Sequence, residues 1–264
     1  MAADKPPAPE KSSVLLYGGT VISLDVQNPA LCQCEMLVQR GVVASLGRSL
    51  TLMPGTRLLD ITGHVVIPGL VASGGRLLDA VLDELVEPGE EGLKAALDDE
   101  SAYALALYGA IMALQNGVTT VRDDSASAGS DGLRRAFGES GLRVAAGRDD
   151  SRRTLGLDSL RGQPNAHAAL VDATLDAARQ LELAGELGSL AVGKWADLVV
   201  LSIEGGQLDG ADNERLAELA LSADAKVRHV LIAGAHAVAD GRAVRHDLEA
   251  LRMEARGQVA RLRG

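Results

Sequence analysis

The hydrophobic pattern of the chain changes at Pro68, and this change constrains the fold more than any other feature. Before Pro68, short apolar runs alternate with turn sequences such as Arg40-Gly41 and Thr62-Gly63, a pattern typical of closely spaced antiparallel strands. After Pro68, apolar residues recur at the helical period, as in residues 99–115, and short apolar strands such as residues 118–122 follow. Alternation of strands and helices predicts a parallel sheet, so the chain is predicted to combine α/β and β architecture.

The expected elements follow from these patterns. Strands are predicted at residues 14–17, 20–24, 36–39, 42–46, 57–61 and 64–67, joined as an antiparallel meander, with Gly18-Gly19 as the first turn. Helices are predicted at residues 76–86, 91–97, 99–115 and 132–139, and strands at 118–122 and 142–146. Residues 148–167 lack periodicity and are predicted to form a junction. The remainder predicts helices at 168–184, 213–222 and 247–261 and strands at 196–203, 227–232, 236–238 and 243–244.

Composition and charge narrow the possible partners. Aromatic residues make up 2% of the 264 residues against 47% for all apolar residues, so the core is expected to be aliphatic. The formal net charge of −10 opposes nucleic-acid binding, which depends on neutralising phosphates. No apolar run reaches the roughly 18 residues of a membrane span, so no membrane association is expected. Residues 1–12 are proline-rich without an apolar core, which predicts a disordered leader and a cytoplasmic protein.

Five stretches of the chain share their order and pattern with one superfamily. They are LLYGGTVISLD at 15–25, MLVQRGVVASLG to LDITGHVVIPGLV within 36–71, NGVTTVRD at 116–123, SGLRV at 140–144, and LGSLAVGKWADLVVL at 187–201 followed by VLIAG and VADGR. In combination they resemble the amidohydrolase superfamily, in particular its cytosine-deaminase, guanine-deaminase and triazine-hydrolase-like branch. The resemblance extends over most of the chain outside residues 148–167.

The resemblance implies a β/α barrel with a small β-sandwich built from both chain ends. Here residues 13–68 and 187–245 would form the composite sandwich, residues 69–186 a truncated barrel remnant, and residues 246–264 a C-terminal helix. About 100 residues between 71 and 168 allow about three units at roughly 30 residues for each βα unit. A closed barrel takes about eight units. The fourth to eighth barrel strands are therefore expected to be absent.

The resemblance also implies a divalent metal that activates water, held partly by a His-x-His pair of the first barrel strand. Gly74 and Arg76 occupy those two positions in PGLVASGGRL at 68–77. A guanidinium stays protonated in proteins and repels a metal cation. We therefore expect neither a metal nor another cofactor.

Other chemistry-bearing residues form weak candidate sites. Asp123 and Asp124 follow a predicted parallel strand, at the end where α/β proteins build sites, and are the weak catalytic candidates. Asp149-Asp150 occupies a comparable position, and Arg122 and Arg148 could contribute to an unconventional site. Ser73 and Ser125 lack a histidine partner in sequence. The five histidines (His64, His167, His229, His236 and His246) lack zinc-binding spacing and are expected to be structural or exposed, while Cys32 and Cys34 are expected to be reduced thiols.

Three functional hypotheses follow. The first is a pseudoenzyme that acts as a scaffold, regulator or assembly partner, with a second copy or another protein covering the open sheet edge. The second is a hydrolase of carbon–nitrogen bonds with an unconventional or partner-completed site. The third is an internally shortened chain without an evolved task.

Overall fold

The computed structural model describes residues 13–25, 30–52, 54–73, 77–86, 91–123, 130–145, 156–203, 208 and 210–263. The strands are β1 Val14–Ile22, β2 Ala30–Gln39, β3 Val42–Gly47, β4 Arg57–Asp60, β5 His64–Pro68, β6 Leu70–Ala72, β7 Val118–Arg122, β8 Arg143–Ala145, β9 Leu198–Ser202, β10 Lys226–Ile232, β11 Ala235–Ala239 and β12 Arg242–Ala243. The α-helices are α1 Leu77–Leu85, α2 Asp99–Gln115, α3 Asp131–Ser140, α4 Ala166–Val171, α5 Ala177–Gln180, α6 Asn213–Ala220 and α7 Leu248–Leu262. Short 3-10 helices span Glu91–Ala96 and Leu157–Leu160.

Strands from both ends of the chain share one sheet. Within the described residues this sheet has nine strands in the order β12-β11-β10-β9-β5-β1-β2-β3, with β4 also pairing with β1. The two ends meet where β5 pairs with β9 in antiparallel register from His64↔Ser202 to Pro68↔Leu198. The predicted antiparallel meander is correct for β1, β2 and β3 but wrong for β4 and β5, which both pair with β1 in parallel.

The first strand runs through the predicted turn at Gly18-Gly19. β1 continues from Val14 to Ile22 with register shifts on either side of Gly19. Gly18 has a φ of +86°, and a Cβ there would lie 2.3 Å from Thr62 Oγ1. The two glycines therefore allow the backbone of β1 to lie close to the segment around Thr62. The sequence prediction of a chain reversal at these residues is wrong.

The second sheet is parallel, and the carboxyl ends of its strands include the predicted candidate Asp123. Its order is β6-β7-β8, and both strand pairs are parallel. Thr120 pairs with Val71 and Arg143, so these three residues share one face, and Val121 shares the opposite face with Ala72 and Val144. The helices α1, α2 and α3 form a common hydrophobic core with this second face.

The chain's own helices cover the first face of the parallel sheet. Val71 and Ala145 form a buried cluster with the small residues Ala177 and Ala178 of α5 and with leucines 181, 183 and 187 after it. The predicted helix at 168–184 begins at Ala166, includes a π-helical turn at Asp172–Asp176, and ends at Gln180. Glu182 has a φ of +60°, which breaks the helical path.

The C-terminal helix docks on α2. Leu251, Ala255 and Val259 of α7 are buried, as the sequence pattern predicts. Arg261 Nη2 donates to both carboxylate oxygens of Asp98, the N-cap residue of α2, at 2.9 and 2.8 Å. No helix in the described part of the chain has the length and apolar character needed to span a bilayer.

Candidate functional site

The carboxyl ends of the three parallel strands bring Ser73, Arg122 and Asp123 together. Ser73 follows β6, Arg122 ends β7 beside Ala145, and Asp123 comes next. All three are buried, with Arg122 4% and Asp123 1% exposed. We call Ser73, Arg122, Asp123 and Gln180 the strand-end cluster, because Gln180 of α5 is bonded to Ser73.

Specific hydrogen bonds fix the strand-end cluster. Arg122 Nε donates to the carbonyl oxygen of Ser73 at 2.8 Å. The Ser73 hydroxyl donates to Gln180 Oε1 at 3.0 Å. The backbone N–H of Asp123 donates to the carbonyl of Ala145 at 3.3 Å, which ties β7 to β8 at their carboxyl ends. The hydroxyl and guanidinium therefore hold the strand ends and α5 in place.

Only part of the predicted site lies within the described residues. Asp123 is at the predicted strand end and is buried. Its neighbour Asp124 lies outside the described residues, as do Gly74, Arg76 and the other loop candidates Ser125, Arg148, Asp149 and Asp150. Gln180 was missed by sequence reasoning, because nothing in a helical pattern shows which strand end the helix will cover.

A buried ion pair lies toward the other end of the same sheet face. Arg143 Nε is 3.0 Å from Asp197 Oδ2, and Arg143 Nη2 donates to Asp197 Oδ1 at 3.1 Å. Asp197 Oδ1 also accepts from the backbone N–H of Ala233 at 2.8 Å. The Arg143 guanidinium lies over the Trp195 ring, 5.4 Å from its centroid. Sequence reasoning missed this pair, although a charged residue within each of two buried apolar runs was a usable signal.

Two of the histidines contact each other, and none belongs to a metal-binding group among the described residues. His229 and His236 are in edge-to-face contact, with ring centroids 5.5 Å apart. The described residues contain no group of three histidine, cysteine, aspartate or glutamate side chains placed to hold a metal ion. The strand-end cluster offers a single carboxylate beside a guanidinium, and a guanidinium opposes a bound cation. These residues do not fit the metal site that the superfamily resemblance implies.

Cys34 is a buried free thiol, and its burial raises its pKa. The side chain of Cys32 lies outside the described residues. A thiol with a raised pKa carries little thiolate at neutral pH and is a weak nucleophile.

A mostly apolar cavity of about 110 Å³ lies between α1, α2 and the parallel sheet. Its walls include Ala72, Leu77, Met112 and Val121. None of the four residues of the strand-end cluster lines this cavity. The cavity is a packing gap behind the sheet, separate from the carboxyl ends of the strands.

Comparison with solved structures identifies the fold. Atrazine chlorohydrolase from Arthrobacter aurescens, complexed with zinc, superposes with a TM-score of 0.74 at 14% identity over 93% of this chain and 100% of that chain. An adenosine deaminase from Xanthomonas campestris with bound zinc gives 0.71 at 15% identity over 97% and 100%. An amidohydrolase from a Sargasso Sea environmental sample gives 0.69 at 16% identity over 95% and 98%.

The chain has an amidohydrolase-like fold. The resemblance seen in the sequence is thereby confirmed at the level of fold. No protein-family model and no curated protein sequence matches the chain. The amidohydrolase-like fold is thus shared with hydrolases, while the chemistry must be argued from this chain's own residues.

Proposed function

We propose that this chain is a non-catalytic amidohydrolase-like protein that acts through its surface as a scaffold, regulator or assembly partner. The observation that carries the proposal is the use of the strand-end cluster as a structural brace. Barrel enzymes build their active sites at the carboxyl ends of parallel strands. Here, at that end, Arg122 Nε donates to the Ser73 carbonyl and the Ser73 hydroxyl donates to Gln180 Oε1.

The charge at the strand ends supports the same proposal. Arg122 is 4% exposed and cannot be deprotonated in a protein. Its permanent positive charge opposes binding of the divalent cation that hydrolases of this superfamily use. Arg76, in the sequence position of a superfamily metal ligand, would add to this opposition.

The proposal includes an arrangement of domains. We infer a composite β-sandwich from residues 13–68 and 187–245 and a three-unit barrel remnant from residues 69–186. The direct pairing of β5 with β9 supports the first, because it joins the two chain ends in one sheet. Three parallel strands with helices on both faces support the second.

The proposal also includes a protein partner at the edge of the parallel sheet. β8 pairs with β7 on one side, and no described strand pairs with its other side. A strand edge that lacks a paired neighbour can act as a template for another chain. We propose that a second copy or another protein covers this edge. A sedimentation mass above one chain of 27.3 kDa is expected, and a mass of one chain for the purified protein contradicts self-association.

A hydrolase acting on carbon–nitrogen bonds is the second candidate. It is favoured by the burial of Asp123 beside Arg122 at the carboxyl end of β7. A buried carboxylate can act as a general base when a partner or a neighbouring loop completes the site. This candidate requires turnover that depends on Asp123.

Metal analysis with activity assays separates the two candidates. The purified chain is assayed against triazine, nucleoside and simple amide substrates, with and without added zinc, manganese or iron. The non-catalytic proposal expects less than stoichiometric metal and no turnover. One metal equivalent for each chain, with turnover that Asp123→Asn abolishes and the exposed control Asp158→Asn retains, overturns it. The Asp158 side chain is 71% exposed, so its substitution leaves the strand-end cluster untouched.

A further inference from the structure

We propose that His229 and His236 form an acid-sensitive latch that fastens β11 and β12 to the rest of the nine-stranded sheet at neutral pH and releases them when protonated. His229 lies on β10 opposite Val200, and His236 lies on β11 opposite Leu231. Their rings meet edge to face with centroids 5.5 Å apart and an interplanar angle of 82°. The contact therefore joins two neighbouring strands near the margin of the sheet.

The sheet register places both rings on the face that bounds a buried apolar cluster. Val200 and Leu231, the strand partners of the two histidines, belong to this cluster together with Val66. His64 alternates with Val66 on β5 and so shares the same face. Neutral rings pack well at such a position, whereas a charged ring loses hydration there.

Charges around the two rings act in both directions, and burial is the largest influence on each ring. Arg57 on β4 acts on His236, and His64 and Arg228 act on His229. Asp240, in the turn between β11 and β12, favours protonation of both rings. Its carboxylate is shared with Arg228, whose Nη2 lies 2.6 Å from Asp240 Oδ1. A second positive charge on the facing ring would add repulsion at a centroid separation of 5.5 Å.

The histidine pKa values agree with this geometry. Burial, assisted by His229 and Arg57, lowers the pKa of His236 to about 4. Burial also lowers the pKa of His229. A histidine released to water titrates near pH 6.5. The released state therefore binds more protons between about pH 6.5 and pH 4, and acid favours release over that range.

The strands that the latch holds are short and lie at one margin of the nine-stranded sheet, where the buried Val238 and hydrogen bonds from Gly241 N–H to the Arg228 carbonyl and from Gln115 Nε2 to the Gly241 carbonyl also hold them. β11 pairs with β10 through Val230↔Val238, Leu231↔His236 and Ile232↔Ala235, with an irregular register between the first two. β12 consists of Arg242 and Ala243 and pairs only with β11 among the described strands. Short margin strands of this kind open locally at lower free energy than a central strand.

Hydrogen exchange at about pH 7 and about pH 5 tests the latch. After correction for intrinsic exchange, protection of the β11 amides is expected to fall about tenfold at the lower pH. Protection of the α2 amides is expected to stay constant. Unchanged protection of β11 between the two pH values overturns the proposal.

Two glutamine variants supply the matched comparison. The double variant His229→Gln and His236→Gln is expected to keep its β11 protection at pH 5, and the control His167→Gln, on α4, is expected to behave as wild type. Equal loss of protection in the double variant overturns the latch. Should the double variant fail to fold, ring titration of the wild-type protein by NMR decides. Titration of His236 near its ordinary pH of about 6.5 overturns the latch, and titration below about pH 5 supports it.

Discussion

Arg143 and Asp197 join the two sheets of the protein through a buried bidentate ion pair. Their side chains are 2% and 4% exposed, and the two bonds measure 3.0 and 3.1 Å. Arg143 belongs to β8 of the parallel sheet, while Asp197 immediately precedes β9 of the nine-stranded sheet. Asp197 also accepts from the N–H of Ala233, so the carboxylate has partners from both sides.

Removal of one partner of this pair is expected to be strongly destabilising. Arg143→Ala leaves the Asp197 carboxylate buried without its counter-ion, and about 3–5 kcal/mol of unfolding free energy should be lost. Urea denaturation followed by circular dichroism measures this loss. The control Arg215→Ala removes an exposed pair with Glu218, 61% and 50% exposed, and should cost at most about 1 kcal/mol. Equal losses in the two variants contradict a special role for the buried pair.

Gly109 is expected to resist substitution in spite of its helical position. It lies inside α2, where alanine ordinarily stabilises by about 1 kcal/mol relative to glycine. A Cβ at Gly109 would lie 2.4 Å from Val81 Cγ2 of α1, and the β-branched Val81 has little freedom to move away. Gly109→Ala should therefore lower the free energy of unfolding by about 1–3 kcal/mol.

Gly257 of α7 provides the matched control for Gly109. A Cβ at Gly257 would have no neighbour within 4 Å. Gly257→Ala should therefore stabilise the protein by about 0.5–1 kcal/mol through helix propensity alone. Thermal denaturation of both variants measures the contrast, and a stabilising Gly109→Ala would show that α1 and α2 are not in close contact.

Asp98 is expected to make the docking of α7 sensitive to acid. Hydrogen bonds from Ser101 and then from Arg261 lower the pKa of Asp98 below its usual range. Because the folded-state pKa is depressed, the stabilisation is present above the unfolded pKa of about 4 and is lost as pH falls below it. The melting temperature should fall between pH 5 and pH 3.

The pH dependence should weaken when Asp98 or its partner Arg261 is replaced. Asp98→Asn keeps an N-cap oxygen but removes the titrating group, so its melting temperature should vary less over this range. Arg261→Gln removes the contact with α7 and should produce a smaller change in the same direction. A wild-type slope in both variants would assign the acid sensitivity to other groups.

Arg161, which follows the 3-10 helix Leu157–Leu160, is expected to hold the segment after α6 in place. Its Nη1 donates to the carbonyls of Ser222 and Ala223 at 2.8 and 2.6 Å, and its Nη2 donates to that of Ala225 at 2.9 Å. Arg161→Ala leaves these carbonyls without a charged donor and should cost about 1.5–3 kcal/mol in urea denaturation. Arg134→Ala, on an arginine that is 52% exposed, should have little effect. Similar costs for the two variants would contradict a stabilising role for the bonds that Arg161 makes to the segment after α6.

Local chemistry was sufficient for many elements. The bounds of α2 and β7 agree with the sequence prediction. Asp98 caps the start of α2, and the turn at Gly117 separates the end of α2 from β7. The hairpin at Arg40-Gly41 also forms, with positive φ at both residues. Gly18-Gly19 was one of the failures, because a register shift uses the same residues as a turn.

Prediction of the candidate site stopped where side chains from distant segments meet. Sequence position placed Asp123 at the carboxyl end of a parallel strand, which is a local property of the strand pattern. The bond between Ser73 and Gln180 joins residues 107 positions apart and leaves no local signature. The sequence also predicted an open edge on a shortened sheet, and the structure adds that α5 covers one face of that sheet.

The sequence by itself determined the superfamily resemblance, the order of strands and helices, and the substitution of Gly74 and Arg76 at the expected ligand positions. These depend on periodicity, turn chemistry and residue identity, which are written locally. Only the tertiary structure decided that β5 joins β9, that Arg143 finds Asp197, and that His229 meets His236. Such pairings depend on the packing of the whole chain, because a buried polar group is stable only when folding brings a hydrogen-bonding or charged partner next to it.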